Sequence, residues 1–143
     1  MKNYFKLEEL LRSNTAVNKK IENLPSFEVI DNLIELRDNL LNPLREAWGS
    51  AIHVNSGFRC PALNKAVGGV TNSQHQYGCA VDIVPSNGKF TDFVNFLKKW
   101  LPGRDWDKCI IETSKSSGHQ WIHIVWKSSQ GYQRHKLFSL DAN

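Results

Sequence analysis

Three residues in two separate stretches of the chain carry side chains that a divalent transition-metal ion accepts as ligands: His75, Asp82 and His123. The first two lie in the run Ser73-Gln74-His75-Gln76-Tyr77-Gly78-Cys79-Ala80-Val81-Asp82, where Gly78 permits a tight turn between them. The imidazole then sits on a loop and the carboxylate on the strand that follows. His123 lies inside the apolar run Trp121–Trp126, where a buried imidazole needs a partner. Two imidazoles and one carboxylate suit zinc, which in catalytic sites takes three protein ligands and leaves a fourth position to water. Such an ion lowers the pKa of that water toward ~7 and polarises a carbonyl oxygen. Spacing by itself leaves a second reading open, a satisfied core histidine and a surface-paired aspartate. Cys79 is a poor fourth ligand, because alternation along the strand turns it away from the face of Asp82.

The elements that must position these side chains follow from periodicity. Leu7, Leu10 and Leu11 form a stripe on a short helix over 6–13, and 14–25 reads as a polar connection ending at Leu24-Pro25. A long amphipathic helix is expected over about 27–48, with Val29, Ile30, Leu33, Ile34, Leu36, Leu40, Leu41, Leu44 and Trp48 at helical spacing. Ser26 suits its N-cap, Pro43 should kink or split it, and Gly49 suits its stop. Strands are expected at 51–55, 79–84, 108–113, 121–126 and about 134–138. Pro61 opens a short helix over 61–66, and Thr91 caps another over about 92–100. Helices first and strands later point to an α+β fold with an antiparallel sheet. One domain over 1–143 is expected, helical over 1–50 and carrying the metal-site sheet over 51–143.

Composition narrows the function classes. The 143 residues are 41% hydrophobic and 22% charged, ordinary for a globular domain and unlike a disordered chain. No apolar run approaches the ~20 residues of a membrane span, so no membrane insertion is expected. The N-terminal run lacks the apolar stretch of a secretory signal, which implies synthesis in the cytoplasm without a signal peptide. The net charge is +4, but lysines and arginines are scattered and cluster only as pairs, Lys19-Lys20 and Lys98-Lys99. That pattern argues for a solvated surface rather than a nucleic-acid partner. Three cysteines without a CxxC pair read as reduced packing thiols. His53 reads as a core or sheet-edge histidine and His135, in Arg134-His135-Lys136, as part of a solvated basic face. Trp100, Trp106 and Trp126 read as packing residues.

Taken together, Ser56-Gly57-Phe58-Arg59, Leu63-Asn64-Lys65-Ala66-Val67-Gly68-Gly69, the pattern Ser73-x-His75-x-x-Gly78-x-Ala80-x-Asp82, and Trp121-Ile122-His123-Ile124 resemble the zinc D-Ala-D-Ala carboxypeptidase family, peptidase family M15. The likeness is strongest to its small single-domain branch in bacteria and their phages, and it spans nearly the whole chain. The resemblance implies the fold shared by D,D-peptidases and the Hedgehog signalling domain, an antiparallel sheet with packed helices. It implies one Zn²⁺ per chain, held by His75, Asp82 and His123. Arg59 falls where the family keeps an arginine for the substrate carboxylate or carbonyl, a task that suits a planar guanidinium. Ser73 is expected to steady the His75 loop, and Ser73, Tyr77 and Trp121 to border the substrate.

The general base is where this chain departs from the family pattern. Many relatives carry an acid three residues before the last histidine ligand; here that position is Gln120, which cannot take a proton from water but could donate to an oxyanion. If 108–113 and 121–126 form a hairpin, Glu112 lies opposite Trp121 and shares its face with His123. A one-residue slip would turn it away. His119, on the connecting loop, is the other candidate acid or base. The resemblance implies a zinc peptidase acting as a monomer on the peptidoglycan stem peptide at the bacterial wall, at a D-Ala-D-Ala or L-Ala-D-Glu bond, in an endolysin-like setting with phage-type release. The other reading is a non-catalytic zinc-containing wall-binding module on the same fold.

Overall fold

The structure is a computed structural model that describes residues 2–142. A 3₁₀ turn at Leu7–Leu10 and a short helix α1 at Asn14–Asn18 occupy the stretch expected to hold one helix and a connection. Ser13 caps α1 by accepting from the Ala16 N–H. Helix α2, Phe27–Leu36, is capped by Ser26 as expected. It continues through a π turn, Arg37–Leu41, into α3, Asn42–Trp48, which ends on left-handed Gly49.

Pro43 therefore does not split the long helix. A proline has no N–H to offer, and its ring presses on the carbonyl four residues earlier. The wider turn just before it, closed by the Asn42 N–H on the Arg37 carbonyl, makes room. It also turns Leu40 and Leu41 both inward, fully buried beside Leu33, Leu36 and Leu44.

The remaining elements are β1 at Ile52–Ser56, α4 at Pro61–Ala66, a 3₁₀ turn at Gln74–Tyr77, β2 at Ala80–Pro85, α5 at Phe90–Trp100, β3 at Lys108–Ser114, β4 at Gln120–Val125 and β5 at Lys136–Ala142. Helix α5 starts two residues earlier than Thr91 suggested, after Lys89, which makes no side-chain cap. The five strands form one sheet in the order β1-β2-β4-β3-β5. Its strands alternate between a core face and an open face. Val81, Ile83, Ile122 and Ile124 are fully buried in the same cluster as the α2–α3 leucines, Phe93 and Leu97. Asp82, Glu112, Trp121 and His123 alternate with them and face the other way. No helix among the described residues is long and apolar enough to cross a membrane.

The sheet is mixed rather than antiparallel, because the chain reverses after β4 and then passes over β3 to a free edge. Strand β4 has β2 on one side and β3 on the other, so the next strand can add only at a free edge. It adds outside β3 and runs in β3's direction, so β3 and β5 are parallel. β5 also reaches to Ala142, beyond the expected end at 138.

A clamp at the start of β5 fixes this addition. Fully buried Asp107 accepts from the Arg134 backbone N–H at 3.0 Å, from Nε at 2.8 Å and from Nη2 at 3.0 Å. The His135 ring is not simply solvated: it stacks on buried Trp106, centroids 5.3 Å apart. Burial pushes the Asp107 carboxyl upward, but the Arg134 hydrogen bonds and charge outweigh it and hold the group below the usual carboxylate range. Because its folded pKa is depressed, Asp107 contributes stability above its unfolded value of about 3.9 and loses that contribution as pH falls through the folded value. Asp107→Asn should cost about 1–2 kcal/mol at neutral pH. Urea titrations of both proteins should show the gap closing as the pH is lowered below about 4; a constant gap would contradict the clamp.

Candidate metal centre

The 3₁₀ turn Gln74–Tyr77 delivers His75 to the open face of the sheet. Ser73 caps the turn, its hydroxyl accepting from the His75 N–H at 3.2 Å, and Gly78 ends it in the left-handed region at φ 73°. A side chain at Gly78 would also meet the Val29 carbonyl at 2.6 Å. Strand β2 carries Asp82, and β4 pairs with it so that Asp82 lies directly opposite His123. His75 Nε2 and His123 Nδ1 each lie 3.1 Å from Asp82 Oδ1. The three donor atoms fall within 4.8 Å of one another.

Hydrogen bonding at His75 shows what this arrangement fits. Its Nδ1 lies 2.7 Å from the Gly57 carbonyl, so Nδ1 carries the proton and donates. Burial holds the His75 pKa below its usual value against the opposing charge of Asp82, which favours the neutral ring. Nε2 of a neutral ring protonated at Nδ1 is a bare lone pair, and it faces a carboxylate oxygen. Two acceptors at hydrogen-bond distance need a cation between them. Ligands at about 2.0–2.1 Å from a tetrahedral ion lie roughly 3.3 Å apart, close to the two separations found. The Asp82 carboxyl is raised by burial, yet its two imidazole neighbours, His75 and His123, hold it well below the usual range. It is therefore an anion ready to serve as a ligand.

The Gly57 carbonyl is the partner that a reading of side chains alone misses, and it explains Ser56-Gly57-Phe58-Arg59 as a unit. Ser56 pairs with Asp82 across β1 and β2 after a bulge. Gly57 sets the His75 tautomer, and a Cβ there would sit 2.1 Å from the Leu10 carbonyl. That carbonyl accepts from Phe58, while the Arg59 N–H donates to the His75 carbonyl. Asn23, also missed, clamps the loop: its Nδ2 donates to the Leu11 and Phe58 carbonyls and its Oδ1 accepts from the Cys60 N–H. The signal available in the sequence was only a polar residue in a connection.

The strand register brings Glu112 to the open face. It lies opposite Trp121, and the Trp121 indole N–H donates to Glu112 Oε2 at 3.0 Å. Burial and the Asp82 charge raise the Glu112 pKa, against the pull of His123, Trp121 and Arg59. Arg59 is lowered by burial, with Asp82 and Glu112 acting the other way. Its Nε is buried without a hydrogen-bond partner. Thus Arg59 and Glu112 both lie within electrostatic reach of the three donors.

Two expected participants are placed elsewhere. Gln120 is an odd number of residues from His123, so β4 turns it to the opposite face, where Nε2 donates to Thr113 Oγ1. His119 is exposed on the β3–β4 turn and stands outside the donor cluster. Ser73 is buried and occupied in capping the His75 turn. The Tyr77 side chain is 43% exposed at the end of that turn, and its carbonyl accepts from Asn32. Cys79 faces away from the donors, in a cavity of about 170 Å³ with Glu28 and Glu35; burial and those two charges push its thiol up to about 11.

Two of the donors, Asp82 and His123, lie on a row of cross-strand partners, Ser56–Asp82–His123–Ile110–Phe138, that traverses all five strands. Four steps of about 4.8 Å make it roughly 19 Å long. At one end Phe138 and Leu140 are 40% and 47% exposed. At the other end, beyond β1, opens a cleft of about 460 Å³.

No curated protein matches the chain. The family model for peptidase M15 matches residues 3–125, from the 3₁₀ turn through β4 and including all three donors, Arg59 and Glu112; β5 lies outside the match. With that match over most of its length, the chain belongs to the peptidase M15 family.

Proposed function

We propose that the protein is a zinc-dependent peptidase that hydrolyses peptide bonds in peptidoglycan stem peptides. The observation that carries this reading is the bare His75 Nε2 lone pair facing Asp82 Oδ1, with His123 Nδ1 on the same oxygen. His75, Asp82 and His123 would hold Zn²⁺, and the Gly57 carbonyl would fix the first imidazole. When bound, the ion supplies Lewis acidity toward a carbonyl oxygen and a water whose pKa is lowered toward ~7.

The chain's own groups do the rest. The Trp121 N–H occupies Glu112 Oε2, which leaves Oε1 to accept a proton from the attacking water. Burial raises the affinity of Glu112 for that proton, so it can hold it and then deliver it to the leaving amine. Arg59, with an unpartnered buried Nε, anchors a carbonyl or carboxylate of the peptide. The family match supports peptidase chemistry. The choice of wall peptide, and of a D-Ala-D-Ala or L-Ala-D-Glu bond, rests on the motif resemblance. So does an endolysin-like setting at the bacterial wall.

The test is digestion of purified peptidoglycan by the protein as isolated, after chelation and after zinc is restored. New amine termini should appear, vanish on chelation and return with zinc, and mass spectrometry of the fragments identifies the bond. Wall binding without new amines in any of the three would instead support a non-catalytic module.

A further inference from the structure

The cleft beyond β1 has a consistent electrostatic sign. Arg12, His53 and Arg59 line it with Ser13, Asn55 and Ser56, and no carboxylate is among its walls. Among the described residues, neither arginine nor His53 forms an ion pair with an acid. Arg12 and His53 are exposed, and the buried Nε of Arg59 has no partner. An arginine such as Arg12, left without a counter-ion in a concave site, favours an anionic ligand. At about 460 Å³ the cleft is within the ~300–1,000 Å³ of small-ligand sites.

The strand register makes this cleft a continuation of the metal centre. His53 is paired with Val84 and Ser56 with Asp82. Directly opposed residues share a face, and Asp82 and Val84 share theirs by the two-residue period. His53 and Ser56 therefore stand on the same side of the sheet as the three donors. A peptide lying along the cross-strand row passes from the donors over Ser56 into the cleft.

We propose that the cleft receives a free carboxylate of the substrate peptide, outside the scissile bond, and that Arg12 and His53 determine this specificity beside Arg59. A guanidinium offers parallel N–H donors that match a carboxylate. The proposal rests on the peptidase reading above but assigns a separate set of residues.

The experiment uses a synthetic stem pentapeptide in which each free carboxylate outside the scissile bond is amidated in turn. For the zinc-loaded wild type, one such amidation should lower kcat/KM about tenfold or more, the effect of losing one charge-assisted contact. Arg12→Gln should erase that preference, His53→Gln should weaken it and Arg12→Lys should keep part of it. Lys98→Gln, the same change of charge on distant α5, should keep all of it. Equal use of the acid and amide forms by the wild type, or an unchanged preference in Arg12→Gln, would overturn the proposal. If no peptide is cleaved, the peptidase reading fails on its own and binding decides the cleft: zinc-loaded Glu112→Gln protein is titrated with the free and amidated peptides. Tighter binding of the acid form, lost when Arg12→Gln is added, supports the site; equal binding overturns it.

Discussion

Asp82→Asn should nearly abolish the metal response of the protein while leaving the chain folded. Asp82 contributes the only negative charge among the three donors, and its Oδ1 is the atom both imidazoles approach. The amide keeps the shape of the carboxylate. Without metal the fold should be retained, because the lost charge of a carboxylate held below its usual range is offset by the new amide N–H, which can donate to the His75 Nε2 lone pair. With metal the balance reverses. Loss of a ligand should cost more than the 10–100-fold typical of losing an outer partner of a ligand, so zinc affinity should fall at least a hundredfold. Melting temperatures read both halves. At free zinc one hundred times its Kd, the wild type gains about 2.7 kcal/mol, whereas the variant should gain about 0.4 kcal/mol or less; under chelation the variant should still melt in one cooperative transition. Equal zinc responses in the two proteins would remove Asp82 from the centre. The wild-type response should also weaken in acid, because the imidazoles must be neutral to bind.

What was legible in the sequence follows from how local each feature is. The Glu112–Trp121 opposition could be read because period-two alternation and a single hairpin settle it within a few residues. The Ser26 and Gly49 caps are equally local. The parallel docking of β5 could not be read, since it depends on which edge of the finished sheet remains free. The π turn before Pro43 was hidden because helical spacing tolerates it. The Gly57 carbonyl was invisible for another reason: every residue carries a carbonyl, and only tertiary placement singles one out. Gln120 was expected near the metal from its distance to His123 along the chain, but on a strand an odd spacing means opposite faces. The cationic cleft needed Arg12 and His53 brought together across the loop that Asn23 clamps.

Glu112→Gln should lower kcat/KM by a factor of roughly 10² to 10⁴, the worth of a positioned proton acceptor, with zinc occupancy unchanged. The substitution is nearly isosteric, and the Gln amide oxygen can still accept from the Trp121 indole, so the hairpin and the three donors should be undisturbed. Metal content and melting temperature establish that before any rate is compared. His119→Ala, on the exposed turn, should change the rate far less. Trp121→Phe supplies a readout that a structural role would not move. It deletes the hydrogen bond that pulls the Glu112 pKa down and leaves burial and the Asp82 charge pushing it up. A base with a higher pKa is ionised only at higher pH, so the acid limb of the kcat/KM profile should shift upward. A Glu112→Gln protein that kept more than about a tenth of the wild-type rate would rule Glu112 out as the base, and an unmoved acid limb in Trp121→Phe would detach that limb from its carboxylate.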